Sequence, residues 1–81
     1  MSKKAKKAIE WTRTQATSIA RSTANPDYLE KLSTHEWPIV RLAALKNPHI
    51  KIETVKKMQN DSDQYIARLA RSIIFHRTHS Y

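Results

Sequence analysis

The chain has 81 residues, no Gly, no Cys and a net charge of +8. That length fits one small domain with no room for a large enclosed active site, and without Cys there are no disulfides, thiol nucleophiles, iron–sulfur clusters or Cys-type zinc sites, which fits a reducing, cytoplasmic setting. The lack of Gly disfavours a sheet with tight turns and favours helices, while fifteen Lys/Arg against seven Asp/Glu favour a polyanionic partner, whether nucleic acid, acidic lipid or an acidic protein surface.

Residues 1–7 carry Lys3, Lys4, Lys6 and Lys7. They read as a basic arm, either a frayed helix start or a set of phosphate contacts. No apolar run of signal-peptide or membrane-spanning length is present, so no membrane partner is expected. From Ala5 to Arg21, Ala5, Ala8, Ile9, Ala16, Ile19 and Ala20 follow helical spacing and predict one weakly amphipathic helix. Its apolar face is too poor for a membrane-surface role. Trp11 lies off that face, as a cap on the end of the core or as an exposed contact. Asn25-Pro26 then starts a second helix, with Asn as N-cap, Pro at the first helical position and Asp27 in the first turn. Its short apolar face is Tyr28, Leu29 and Leu32.

Trp37-Pro38 opens the central helix. Ile39, Val40, Leu42, Ala43, Ala44 and Leu45 are apolar nearly all round, which predicts burial on more than one side. Asn47-Pro48 closes it and reads both as a turn and as a start signal for the next helix. That helix spans Ile52 to Gln59, with Ile52, Val55 and Met58 inward and Lys51, Lys56 and Lys57 outward. Asn60-Asp61-Ser62-Asp63 is a dense turn and N-cap cluster. The last helix, Asp63 to Arg77, has the cleanest stripe in the chain: Ile66, Leu69, Ala70, Ile73 and Ile74. Residues 78–81 read as a frayed tail.

Two segments repeat. Leu29 and Val55 lie 26 residues apart, Arg41 and Arg68 lie 27 apart, and Asn-Pro recurs. A period in the twenties with helix–turn–helix content points to stacked units that cover one another's apolar faces. Val40-Arg41-Leu42-Ala43-Ala44, Asn47-Pro48 and the run from Asp61-Ser62-Asp63 to Arg68 resemble the short HEAT-like α-helical repeats, within them the leucine-rich-repeat-variant type. The resemblance covers about residues 19–75. It implies an all-α fold of about five short helices, two and a half repeats in a small right-handed superhelix with two helical layers and one concave binding surface. Two departures stand: Asp61 to Arg68 is one residue longer than the family spacing, and the first unit lacks four loop residues. The variant family's iron–sulfur cluster has no Cys to hold it, and no other cofactor is implied.

Arg21, Arg41 and Arg68 fall at similar places in successive units. In HEAT-like repeats the matching arginine often bonds acidic or backbone groups of the neighbouring repeat; the alternative is a row of guanidinium groups meeting phosphates along a groove. Arg41, Lys46, Lys51, Lys56, Lys57, Arg68 and Arg71 make up the candidate basic patch for nucleic acid or an acidic partner. Tyr28, Trp37 and Tyr65 are the aromatics near it, as stacking or as packing residues. His76 and His79 share a spacing suited to one helix face, but zinc needs further ligands and none is apparent. No Gly-rich phosphate loop, Cys nucleophile or paired carboxylates are present, so catalysis is not expected. The expectation is a non-enzymatic module that binds DNA or RNA through Lys/Arg–phosphate contacts. The alternative is a protein-interaction adaptor or small modulator, such as one of bacteriophage type, docking on an acidic face. Ile73, Ile74 and Phe75 leave room for a homodimer through the C-terminal helix.

Overall fold

A computed structural model describes residues 11–79. Among them are five α-helices and no strand: α1 (Arg13–Ser22), α2 (Pro26–Leu32), α3 (Pro38–Lys46), α4 (Ile52–Met58) and α5 (Gln64–Thr78). The expected all-α architecture is what the chain adopts. The basic arm Lys3, Lys4, Lys6 and Lys7, and the expected stripe residues Ala5, Ala8 and Ile9, lie outside the described residues.

The first helix does not run unbroken from Ala5 to Arg21. Thr12 has extended backbone (φ −68°, ψ 168°) and acts as N-cap of α1. Its Oγ1 accepts from the Gln15 N–H at 3.1 Å, and the Thr12 N–H donates to Gln15 Oε1 at 3.0 Å. This reciprocal capping box satisfies two otherwise orphaned donors and fixes the helix start at Arg13. The buried face of α1 is reduced to Ala16 and Ala20, with Ile19 partly covered. Trp11, just ahead of the cap, packs against the core and meets Tyr28 edge-on at 6.0 Å, so it covers the end of the core.

Asn25 caps α2 as expected: its Oδ1 accepts from the Asp27 N–H at 2.9 Å, and Pro26 takes the first helical position. Leu29 and Leu32 are buried while Tyr28 stays half exposed. Central α3 packs against α1, α2 and α5, and buries Val40, Ala43, Ala44 and Leu45. Fully burying a side chain such as Leu45, Leu29 or Ile66 stabilises the fold by about 1.5–3 kcal/mol. Helix α4 packs against α5. It buries Val55 and Met58 as expected, and Thr54 as well. One row results, α1 against α3 and α3 against α5, with α2 packed on α1 and α3 and with α4 packed on α5.

The second Asn-Pro pair does not start a helix. Asn47 is the C-cap of α3, and α4 begins five residues later behind Lys51, which makes no side-chain cap bond. Asn47 is buried and closes the end of α1 instead. Its Nδ2 donates to the carbonyls of Ala20 (2.9 Å) and Thr23 (2.8 Å) and reaches that of Arg21 (3.4 Å). Its Oδ1 accepts from the His49 N–H at 2.8 Å. The last carbonyls of a helix lack intrahelical partners, so one side chain serves two elements. Arg77, near the end of α5, likewise donates across elements, to the Ile50 carbonyl in the α3–α4 connection at 2.9 Å.

Candidate functional site

Charge is sorted by element. Helices α1, α3 and α5 contain no Asp or Glu at all, yet they carry Arg13, Arg21, Arg41, Lys46, Arg68, Arg71 and Arg77. The described carboxylates sit on α2 (Asp27, Glu30), on α4 (Glu53) or in the connections (Glu36, Asp61, Asp63). The row α1–α3–α5 is therefore acid-free.

Arg41 leaves the candidate set of contacts. Its Nε and Nη2 form a bidentate pair with Asp61 at 2.8 and 2.9 Å. Its Nη1 donates to the carbonyls of His35 (2.8 Å) and Glu36 (3.2 Å). The side chains of Arg41 and Asp61 are only 12% and 6% exposed, so the guanidinium cannot turn to a phosphate without breaking all four bonds. Burial pushes the Asp61 carboxyl up, but the Arg41 hydrogen bonds, the Asp63 N–H and the Arg41 charge outweigh it and hold it below its ordinary 3.8. Asp61 also accepts from Asp63, the N-cap of α5. The pair thus ties the start of α3 to the start of α5.

Arg21, Arg41 and Arg68 do not occupy equivalent positions. The N-caps of α3 and α5, Trp37 and Asp63, lie 26 apart, as do the buried pairs Val40/Ile66 and Ala44/Ala70. In that frame Arg68 matches Leu42, and Ala67 matches Arg41. Arg68 is exposed and makes no hydrogen bond or ion pair with a described residue. Arg21 is also exposed, and only its backbone carbonyl is engaged, by Asn47.

The expected α4 patch is largely neutralised. Lys51 lies 3.6 Å from Asp27, and Lys57 lies 3.3 Å from Glu30. Both pairs are solvent-exposed and contribute little to stability, but they cancel charge where a patch was expected. Lys56 alone of the three is without an ion pair to a described residue. Lys46, by contrast, joins Arg21 across a shallow groove between α1 and α3, floored by Ile39, Leu42 and Ala43. Arg68 and Arg71 line a second depression with Gln64, Ala67 and the turn at Gln59–Asp61.

Along α5, Gln64, Arg68, Arg71 and Phe75 are spaced four, three and four residues apart, which places them on one exposed line. Phe75 is 56% exposed, and the His79 ring stacks on it at 4.2 Å and 21°. Ile73 and Ile74 pack against this chain's own core, so the apolar surface offered at that end is Phe75 rather than a three-residue stripe. Tyr65 is 59% exposed and is not a packing residue. Trp37 is partly buried between His35, at 5.0 Å, and the Arg13 guanidinium, at 5.8 Å. Among the described residues no three His, Asp or Glu gather as metal ligands.

The sequence reading missed Arg13 and the exposure of Phe75. The spacing of Arg13, Thr17 and Arg21 was available as a signal; which side of α5 stays open depends on packing. Comparison with known proteins finds no matching family model, no matching curated protein and no matching solved structure.

Proposed function

We propose that this chain is a non-enzymatic module that binds nucleic acid through the outer side of the α1–α3–α5 row. One observation carries the reading: those three helices hold seven cations and no carboxylate, while the described acidic residues lie on other elements. Arg13, Arg21, Lys46, Arg68 and Arg71 are the exposed contacts, replacing Arg41 and the paired Lys51 and Lys57. An acid-free surface attracts polyanions without internal competition, and phosphate contacts by Lys and Arg supply most sequence-independent affinity.

The scaffold is read as stacked HEAT-like units. Leu29/Val55, Leu32/Met58, Val40/Ile66 and Ala44/Ala70, all buried, keep one 26-residue offset. Three side-chain links then join residues 27 apart: Asn47 to Ala20, Lys57 to Glu30 and Arg77 to Ile50. Repeated offsets of this kind are what nearest-neighbour stacking produces.

The test is fluorescence anisotropy with labelled DNA and RNA from low to physiological salt. Five phosphate contacts correspond to a log–log salt slope of about −3.5 on a single strand and about −4.5 on duplex. Affinity that ignores salt would end this reading. A second reading, docking on an acidic protein face, is favoured by Ile39, which is 51% exposed beside the groove that Arg21 and Lys46 flank. It expects saturable 1:1 binding to a protein that Lys46→Glu abolishes and Lys56→Glu leaves intact.

A further inference from the structure

The exposed side of α5 has a composition that phosphate binding alone does not call for. Duplex recognition through the backbone needs cations on a surface; it does not need aromatic rings in solvent. Yet Tyr65 and Phe75 are each more than half exposed, although burying a large apolar side chain would stabilise the fold. Along the axis of the same helix they bracket Arg68 and Arg71, with Phe75 on the line of the two arginines and Tyr65 about 80° round the helix from Phe75. At 1.5 Å per residue, Tyr65 and Phe75 stand about 15 Å apart along the axis, with the arginines about 4.5 and 9 Å from Tyr65. Phe75 does not stand alone: the His79 ring lies against it at 4.2 Å and 21°, held by its Nδ1, which is 2.9 Å from the Phe75 carbonyl oxygen and 3.0 Å from Thr78 Oγ1. That pair is a preformed flat platform.

We infer that α5 is a track for single-stranded nucleic acid, with bases stacking on Tyr65 and on the Phe75–His79 platform and phosphates meeting Arg68 and Arg71 between them. This rests on the nucleic-acid reading above and narrows it. Single-strand proteins combine a basic path with aromatic faces, because every base has a face to stack while only an unpaired one can expose it. Helix α5 carries no carboxylate to repel the strand. Asp61, the acidic residue beside the Arg68–Arg71 depression, already faces the Arg41 guanidinium.

The experiment uses the full chain, a labelled fifteen-nucleotide oligo-dT and a labelled mixed-sequence duplex of equal length, at low and at physiological salt. Three proteins are compared: wild type, Tyr65→Ala/Phe75→Ala and Arg68→Gln/Arg71→Gln. The four positions are exposed, and circular dichroism checks that each variant keeps its helix content. Wild type is expected to prefer the strand. The aromatic variant is expected to lose about tenfold or more on the strand, from two stacking contacts, and less than twofold on the duplex. The arginine variant is expected to lose affinity for both. Equal affinity of wild type for strand and duplex, or an aromatic variant unchanged on the strand, overturns the track while leaving phosphate binding in place. Absence of salt-sensitive binding by wild type to either probe overturns the parent reading as well.

Discussion

Arg41 shows how a single side chain can look like a contact residue in the sequence and serve the fold instead. Its four bonds gather the start of α3, the preceding loop and the turn before α5. Truncating one partner of a mostly buried pair leaves the other charge uncompensated, so Arg41→Ala is expected to cost about 3 kcal/mol in chemical denaturation. Arg41→Lys should restore little, because an ammonium cannot reproduce the bidentate fork. Asp61 gives the same link a pH signature. Its carboxyl is held below 3.8, so its contribution is fully present above that value and is lost as pH falls through the lower folded-state value. Thermal denaturation of wild type should therefore lose stability below about pH 4, and Asp61→Asn, already weaker at neutral pH, should lose less over that range. Only a one-residue slip separated the sequence reading from this result: Arg41 and Arg68 are 27 apart, whereas the helices repeat at 26, and one residue turns a helix position by about 100°.

At the level of elements, the two Asn-Pro pairs look identical in sequence and act differently. Asn25 caps the helix that follows it, by a local bond two residues away. Asn47 caps the helix two elements earlier, across 27 residues. No local pattern distinguishes them, because the second role exists only once α1 and α3 are side by side. Asn25→Ala is expected to cost about 1 kcal/mol, as an exposed N-cap does. Asn47→Ala should cost more, about 2 kcal/mol, since buried carbonyls of α1 lose their donors. Asn47→Asp should be worse than either, placing a carboxylate against those carbonyls; urea titration ranks the three. Helices α2 to α5 were legible because Pro at N1, dense turn clusters and the long stripe of α5 mark their limits. The break before α1 was legible too, in Thr12 and Gln15, but the alanine periodicity running through it read as continuous helix.

For the whole molecule, the sorting of charge is a property of neighbours rather than of sequence order. Carboxylates recur along the chain, and only the packing of α1, α3 and α5 in succession collects the helices that lack them. A paired reversal should expose this. Arg68→Glu/Arg71→Glu is expected to weaken nucleic-acid binding at least tenfold, whereas Lys51→Glu/Lys57→Glu, which alters charges already opposed by Asp27 and Glu30, should change it far less; anisotropy at fixed salt compares them. The side-chain links described above also have a bearing on how the chain comes together. No side-chain hydrogen bond among the described residues joins positions more than 27 apart. Closing such short loops carries a modest entropic cost, and chains dominated by near-neighbour contacts fold in microseconds to milliseconds. Because close helix packing links α1 to α5 through α3, unfolding should begin as a fraying of either end. Hydrogen exchange would then read a gradient, slowest in α3 and faster outward.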